Sequence, residues 1–163
     1  MKKTSRILAF LMAALFLCLA FTACGKKDGG ADPFSFVYND ATVKIGDSEE
    51  EALKALGNWA SYNLSESCGG FAGKDYIYYY KGFSVYTTPD RNGNIINMIE
   101  LTSDEVAIPN GLTIGSSRKD VVKAMGSEGT AQGESLVYTS GTVKLTFILR
   151  DDSVTNIQYT SAV

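Results

Sequence analysis

The chain contains no histidine. It therefore has no imidazole base for work near neutral pH, no His-based nucleophilic triad, and none of the commonest metal ligand. Cysteine is almost as scarce, with three residues in 163. Cys18 and Cys24 lie in or at the end of the N-terminal apolar stretch, which leaves Cys68 without an intramolecular partner beyond it. The folded part must then stand by packing rather than by a disulfide framework. Positive charge is also in deficit, the formal balance being −3. That balance argues against nucleic acid as a partner and against electrostatic docking on anionic lipid.

What is present begins with an export plan. Lys2, Lys3 and Arg6 precede an apolar run over residues 7–21, and Phe21-Thr22-Ala23-Cys24 closes it with a small residue just before cysteine. The run is short for a transmembrane helix, and the polar stretch from Gly25 to Gly30 follows it. Residues 1–23 read as a lipoprotein signal peptide, Cys24 as the site of lipid attachment, and residues 24–33 as a flexible tether closed by Pro33. The segment resembles the bacterial lipobox, with Phe21 where that pattern prefers Leu. The alternatives are a plain secretory signal cut near Ala23 and an uncleaved anchor. Cleavage removes three cations and no acid, so attachment rests on acyl chains, of which stable anchoring takes more than one. The expected location is extracytoplasmic, anchored to the cell membrane by lipid.

The remaining residues, 34–163, have the length of one domain and contain an internal repeat. The thirteen residues from Ile45 to Gly57 align without a gap on those from Ile114 to Gly126, with identity at Ile, Gly, Ser, Lys, Ala and Gly. Each copy reads as a short helix. Ser48 and Ser117 are placed as N-caps, with Glu51 and Asp120 three residues later completing an acidic capping box. Ala52, Leu53 and Leu56, and likewise Val121, Val122 and Met125, share one helical face. Gly57 and Gly126 then suit a left-handed C-terminal position. The acids from Asp47 to Glu51 complement the helix N-terminus, with Glu49 exposed.

A three-strand meander is expected after each helix. In the first copy the strands are 76–80, 83–88 and 95–102, with an Asn92-Gly93 hairpin signal. In the second they are 135–139, 142–150 and 153–160, turning at Ser140-Gly141 and Asp151-Asp152. Short strands at 42–45 and 112–114 precede the helices, the first pairing with 34–38 across Asn39-Asp40. Two short amphipathic helices cannot cover both faces of so large a sheet. The expected fold is therefore α+β: two tandem helix-plus-meander repeats, about 34–105 and 106–163, forming one curved antiparallel sheet with helices on one face.

These motifs resemble the β-lactamase-inhibitor-protein-like fold, and most closely lipoproteins of Gram-positive bacteria that share it. The resemblance spans residues 34–163. It rests on Ser67-Cys68, the Tyr-rich stretch 76–80, Gly82-Phe83, Tyr86-Thr87, Ile96-x-x-Ile99-x-Leu101 and Gly111-Leu112-x-Ile114-Gly115-x-Ser117. It implies a binding role without catalysis or cofactor. The inhibitor of that name carries disulfides within its repeats, which this chain cannot form, and none of its contact residues transfers.

No nucleophile–base pair or metal set emerges from the sequence. Cys68, with its nearest cation at Lys74, reads as a buried or half-buried inert thiol, against redox or intermolecular pairing. The aromatic group Trp59, Tyr62, Tyr76, Tyr78, Tyr79, Tyr80 and Tyr86 divides between core packing and recognition. Asp90-x-Asn92-Gly93 lacks the glycine position and distant Glu of a calcium loop and reads as a turn. Strand alternation sends Phe83, Val85, Ile99, Leu101, Val143, Leu145 and Phe147 inward. It leaves Tyr86, Met98, Glu100, Lys144, Ile148 and Arg150 as a candidate binding face for a protein or cell-envelope component. The alternative is inhibition of a secreted enzyme such as a β-lactamase or protease, which rests on fold analogy. If Cys24 is the lipidated residue, Cys24→Ala abolishes lipid labelling and leaves the precursor uncut; normal acylation of that variant by mass spectrometry would refute the assignment.

Overall fold

Asn39 and Asp40 take φ values of 47° and 65°, the left-handed pair of a tight hairpin turn whose twist matches that of its strands. Around it β1 (Phe36–Tyr38) and β2 (Ala41–Val43) pair antiparallel. The computed structural model describes residues 32–127 and 129–162. The expectations for residues 1–23, for Cys24 and for most of the tether lie outside these. Among the described residues no helix is long and apolar enough to cross a membrane.

The two helices are α1 (Glu49–Leu56) and α2 (Arg118–Met125). Their ends differ from each other. Ser117 makes the full capping box with Asp120, hydroxyl and backbone N–H both engaging the carboxylate. Ser48 makes no side-chain cap bond, and the acid beside it, Asp47, accepts from the Lys44 N–H at 2.7 Å. Gly126 is left-handed, whereas Gly57 sits at φ 80°, ψ −155°, a region that only glycine occupies freely. Each glycine N–H still closes its helix, on Leu53 O and Val122 O, both at 3.0 Å.

Eight strands form the main sheet: β3 (Ser61–Glu66), β4 (Lys74–Tyr79), β5 (Phe83–Asp90), β6 (Gly93–Leu101), β7 (Thr130–Gln132), β8 (Ser135–Ser140), β9 (Val143–Arg150) and β10 (Ser153–Ser161). Their order is β3-β4-β5-β6-β10-β9-β8-β7, and every neighbouring pair is antiparallel. The order is palindromic about the β6–β10 seam, where Leu101 faces Ile157 and Ile99 faces Tyr159.

The α+β, sheet-rich character matches the sequence expectation at this coarse level, while several details differ. Each meander has four strands rather than three, because β3 and β7 were not legible. The β1–β2 hairpin forms a separate sheet. No strand forms at 112–114. A turn occupies that region, with Gly111 at φ 82° and the Ile108 N–H on Leu112 O at 2.9 Å. Thr113 N–H goes to the Ser116 hydroxyl at 3.0 Å, so the local donors are satisfied without a ladder. The β5–β6 turn runs over Asp90–Gly93 as expected, with Arg91-Asn92 at its centre.

Two β-bulges explain an otherwise odd apolar spacing. The β5–β6 register slips at Asn97, and the β10–β9 register slips at Thr155. Each bulge lets an apolar residue three positions before the next still point inward. Ile96, Ile99 and Leu101 on β6, and Val154, Ile157 and Tyr159 on β10, are all buried. A glycine turn before each helix then clips onto the bulged strand. Gly46 N–H bonds Ile96 O (2.8 Å) and Ile96 N–H bonds Asp47 O (2.9 Å). Gly115 N–H bonds Val154 O (2.7 Å) and Val154 N–H bonds Ser116 O (2.8 Å).

Phe83, Val85, Leu145 and Phe147 join these residues in one core with Ala52, Leu53 and Leu56 of α1 and Val121 of α2. Phe36 also belongs to it, its ring 4.8 Å from that of Phe83. The helices contribute unequally. Val122 and Met125, expected to be buried like their α1 counterparts, are only half-buried. Leu53→Ala should therefore cost about 2–5 kcal/mol, against about 1 kcal/mol or less for Val122→Ala. Denaturant unfolding of both variants checks this, and equal losses would mean that α2 packs as tightly as α1.

Candidate functional site

Glu100 sits beside the seam with its side chain on the sheet face opposite Ile99 and Leu101. Its Oε2 accepts from the Tyr86 hydroxyl at 2.8 Å, and its Oε1 accepts from Asn156 Nδ2 at 2.7 Å and Gln158 Nε2 at 3.1 Å. Burial pushes the Glu100 carboxyl upward, but the bonds from Gln158, Tyr86 and Asn156 outweigh it and hold the group below its ordinary 4.5. Burial, and then the bond to Glu100, push the Tyr86 phenol up to about 12. Tyr86 thus presents a neutral ring with its hydroxyl tied down.

Cross-strand register places the other candidates. Tyr86 faces Met98, Met98 faces Thr160, and Thr160 faces Lys144. Glu100 faces Gln158, and Ile148 faces Asn156. Tyr86, Met98, Glu100, Lys144 and Ile148 are each half-buried and lie along one sheet face. Arg150 is exposed at the far end of β9, paired with Ser153. It lies about 20 Å along the strand from Lys144 at the usual rise, so the structure does not bring it to Tyr86.

Sequence reasoning missed Ile77, Asn156 and Gln158 on this face and left Tyr79 in the aromatic group without assigning it a side. Ile77 and Tyr79 face Tyr86 and Ser84 and carry it onto β4, while Asn156 and Gln158 fix Glu100. Alternation on β4 and β10 carries the signal for them, once the register across the seam is known. The aromatic group divides as alternation requires. Tyr79 and Tyr86 lie on this face, while Tyr76, Tyr78 and Tyr80 lie on the other with Val85. Tyr80 is buried and stacks on Phe83 at 4.6 Å.

A second carboxylate overturns its expected role. Glu49, read as an exposed helix-start acid, is half-buried and bonds to three strands. It accepts from the Tyr78 hydroxyl (2.9 Å), the Thr87 hydroxyl and Asn94 Nδ2 (2.9 Å). Burial, followed by this carboxylate, raises the Tyr78 phenol well above its usual value. Clefts of about 470 and 500 Å³ flank Glu49, one lined by Lys74, Tyr76 and Asn94, the other by Leu53, Lys54, Trp59 and Tyr78. A carboxylate already holding three donors suits positioning rather than proton transfer.

Cys68 is a free thiol and exposed, not buried or half-buried as expected, because the loop between β3 and β4 stands off the core. Among the described residues no group of three Cys, Asp or Glu side chains is placed to hold a metal ion. No family model, curated protein or solved structure matches the chain.

Two outcomes follow from the carboxylates. Glu49→Ala strands the donor of buried Thr87 together with those of Tyr78 and Asn94, and should cost about 1–3 kcal/mol; a loss within 0.5 kcal/mol, the rough range for surface changes, would mean that the network contributes nothing. For Glu100 the folded pKa is lowered, so its stabilisation is complete above the unfolded value near 4.5. It is lost as pH falls through the lowered folded value. Unfolding followed against pH should show a shallower acid loss in Glu100→Gln than in the parent chain, and identical slopes would contradict the shift.

Proposed function

We propose that this chain is a lipid-anchored, extracytoplasmic, non-catalytic binding module whose sheet face around Tyr86 takes up a protein surface of the cell envelope. The observation that carries this reading is Tyr86 itself. It is a half-buried aromatic, held by Glu100 within a network that reaches across the seam to Asn156 and Gln158. A ring fixed in this way loses little entropy on contact, which suits an interface anchor. Met98, Ile148, Ile77 and Tyr79 supply apolar area around it, and half-buried Lys144 lies on the same face. The clefts at Glu49 are lined by none of these residues. A broad face suits a protein better than a small molecule, which prefers concavity.

The finer architecture in this reading is a tandem duplication with both helices on the face opposite Tyr86. Its support is the palindromic strand order, the repeated glycine clips onto β6 and β10, and the bulge in each of those strands. A further likeness is the pair Tyr80 and Tyr138, whose hydroxyls bond the chain just after α1 and α2, at Gly57 O (3.3 Å) and Ser127 O (2.9 Å). The core side chains of β5, β6, β9 and β10 point away from Tyr86 and pack with residues of both helices. The export signal and Cys24 supply the anchor in the proposal.

The test uses the full chain in its own envelope, with a photo-crosslinking residue at Met98 and, for comparison, at Lys54 on α1. Capture of a discrete protein from Met98 but not from Lys54, reduced at least about tenfold by Tyr86→Ala (1.4 kcal/mol), supports the reading. Equal capture at both positions, or capture indifferent to Tyr86, overturns it.

A further inference from the structure

The two edges of the main sheet are protected to different degrees. β7 has three residues and ends the sheet by brevity. β3 has six, all exposed, with neither Pro nor Lys among Ser61-Tyr62-Asn63-Leu64-Ser65-Glu66 and unbroken register against β4. Natural sheets guard such an edge with short strands, lysine, proline or a bulge. None is present here, and two of the most exposed large apolar side chains lie on it, Tyr62 at 56% and Leu64 at 42%.

The direction of the free edge follows from the ladder. Ser67 N–H bonds Gly73 O at 3.0 Å, continuing the register in which Glu66 faces Lys74 and Ser65 faces Asp75. Hydrogen-bonded pairs alternate along an antiparallel strand. The odd residues of β3 therefore bond to β4, and Tyr62 and Leu64 turn their N–H and C=O groups outward. The Leu64 N–H is held there by the adjacent Asn63 Oδ1 at 2.8 Å, a local bond that the second strand's carbonyl has to replace and that Asn63→Cys removes. Tyr62 and Leu64 also share a side-chain face, opposite Tyr78 and Tyr76.

We infer that β3 is a self-pairing edge, and that a second copy of this chain adds its own β3 antiparallel about a two-fold axis at Asn63. In that register Tyr62 meets Leu64 of the second copy, and Leu64 meets its Tyr62. Both are outward-bonding residues, so the hydrogen-bond phase is correct. Both lie on one face, so the exposed ring and the exposed isobutyl group cover each other. Glu66, the only charged residue of the strand, falls opposite Ala60 of the second copy, so like charges do not meet. The ladder stops there, because Ala60 N–H turns back to Tyr79 O at 2.8 Å. A shift by one residue would set Tyr62 against an inward-bonding position and separate it from Leu64. This inference stands apart from the Tyr86 face.

Asn63 would face its own copy as a non-hydrogen-bonded pair, close enough for a disulfide. The experiment adds one cysteine at a time to the full-length chain carrying Cys68→Ala, which keeps Cys18 and Cys24 and without an added cysteine serves as the blank, in producing cells treated with diamide, and reads non-reducing gels. Asn63→Cys should shift to twice the monomer mass. Ser61→Cys alone and Ser65→Cys alone should link at least tenfold less, while the two co-expressed restore the dimer, since Ser61 faces Ser65 of the second copy. Leu64→Lys added to Asn63→Cys should lower linkage at least tenfold with an unchanged melting curve, because Leu64 lies outside the core. The inference is overturned if Asn63→Cys stays monomeric or if it links mainly to a different protein. It is also overturned if Thr139→Cys, exposed on β8, links as readily.

Discussion

The β6–β10 pairing is the constraint on which the rest of the structure depends. Without it each half would be a four-stranded meander with an open inner edge and a core divided in two. With it, Ile99, Leu101, Ile157 and Tyr159 meet across the seam and the apolar side chains of both halves become one cluster. The pairing also assembles the outer face, since Glu100 is on one strand while Asn156 and Gln158 are on the other. The bulges at Asn97 and Thr155 follow from the same demand. They let the Ile96 and Val154 side chains reach the core while the same residues' backbone groups serve the glycine turns.

What the sequence revealed and what it hid divide along one physical line. Elements whose stability is local or face-specific were legible. The helix stretch around Leu53 carries its periodicity, and the alternation of Val143, Leu145, Phe147 and Leu149 marks a strand with one buried side. The turns at Asn39-Asp40 and Asp151-Asp152 carry residues that tolerate positive φ. Hidden were the elements whose existence depends on partners. β3 and β7 bury neither face, so they show no alternation to read. The stretch at 112–114 has β-type residues, yet the Leu112 C=O accepts from the Ile108 N–H and the Thr113 N–H donates to the Ser116 hydroxyl.

The candidate site shows the same division. Alternation sufficed to put Tyr86, Met98, Glu100, Lys144 and Ile148 on one side, but not to show that Arg150 lies a strand length away. It could not show Glu49 at all. The three donors that converge on that carboxylate come from positions 78, 87 and 94, on three different strands, and only the assembled sheet brings them together. An acid at a helix start has a sufficient local reason to be there. That local reason masks the long-range one.

The seam also has a consequence in time. Hairpins such as β5–β6 and β9–β10 join residues close in sequence and can form early, whereas the β6–β10 pairs, Leu101 with Ile157 among them, require a far longer loop to close. Where the hairpins close before the seam, the inner strands β6 and β10 stay unpaired until the two half-sheets meet. Any delay in closing the seam exposes Ile99 and Ile157 to other chains. The seam thus sets a second aggregation hazard beside the exposed β3 edge, one confined to the interval before the two half-sheets pair.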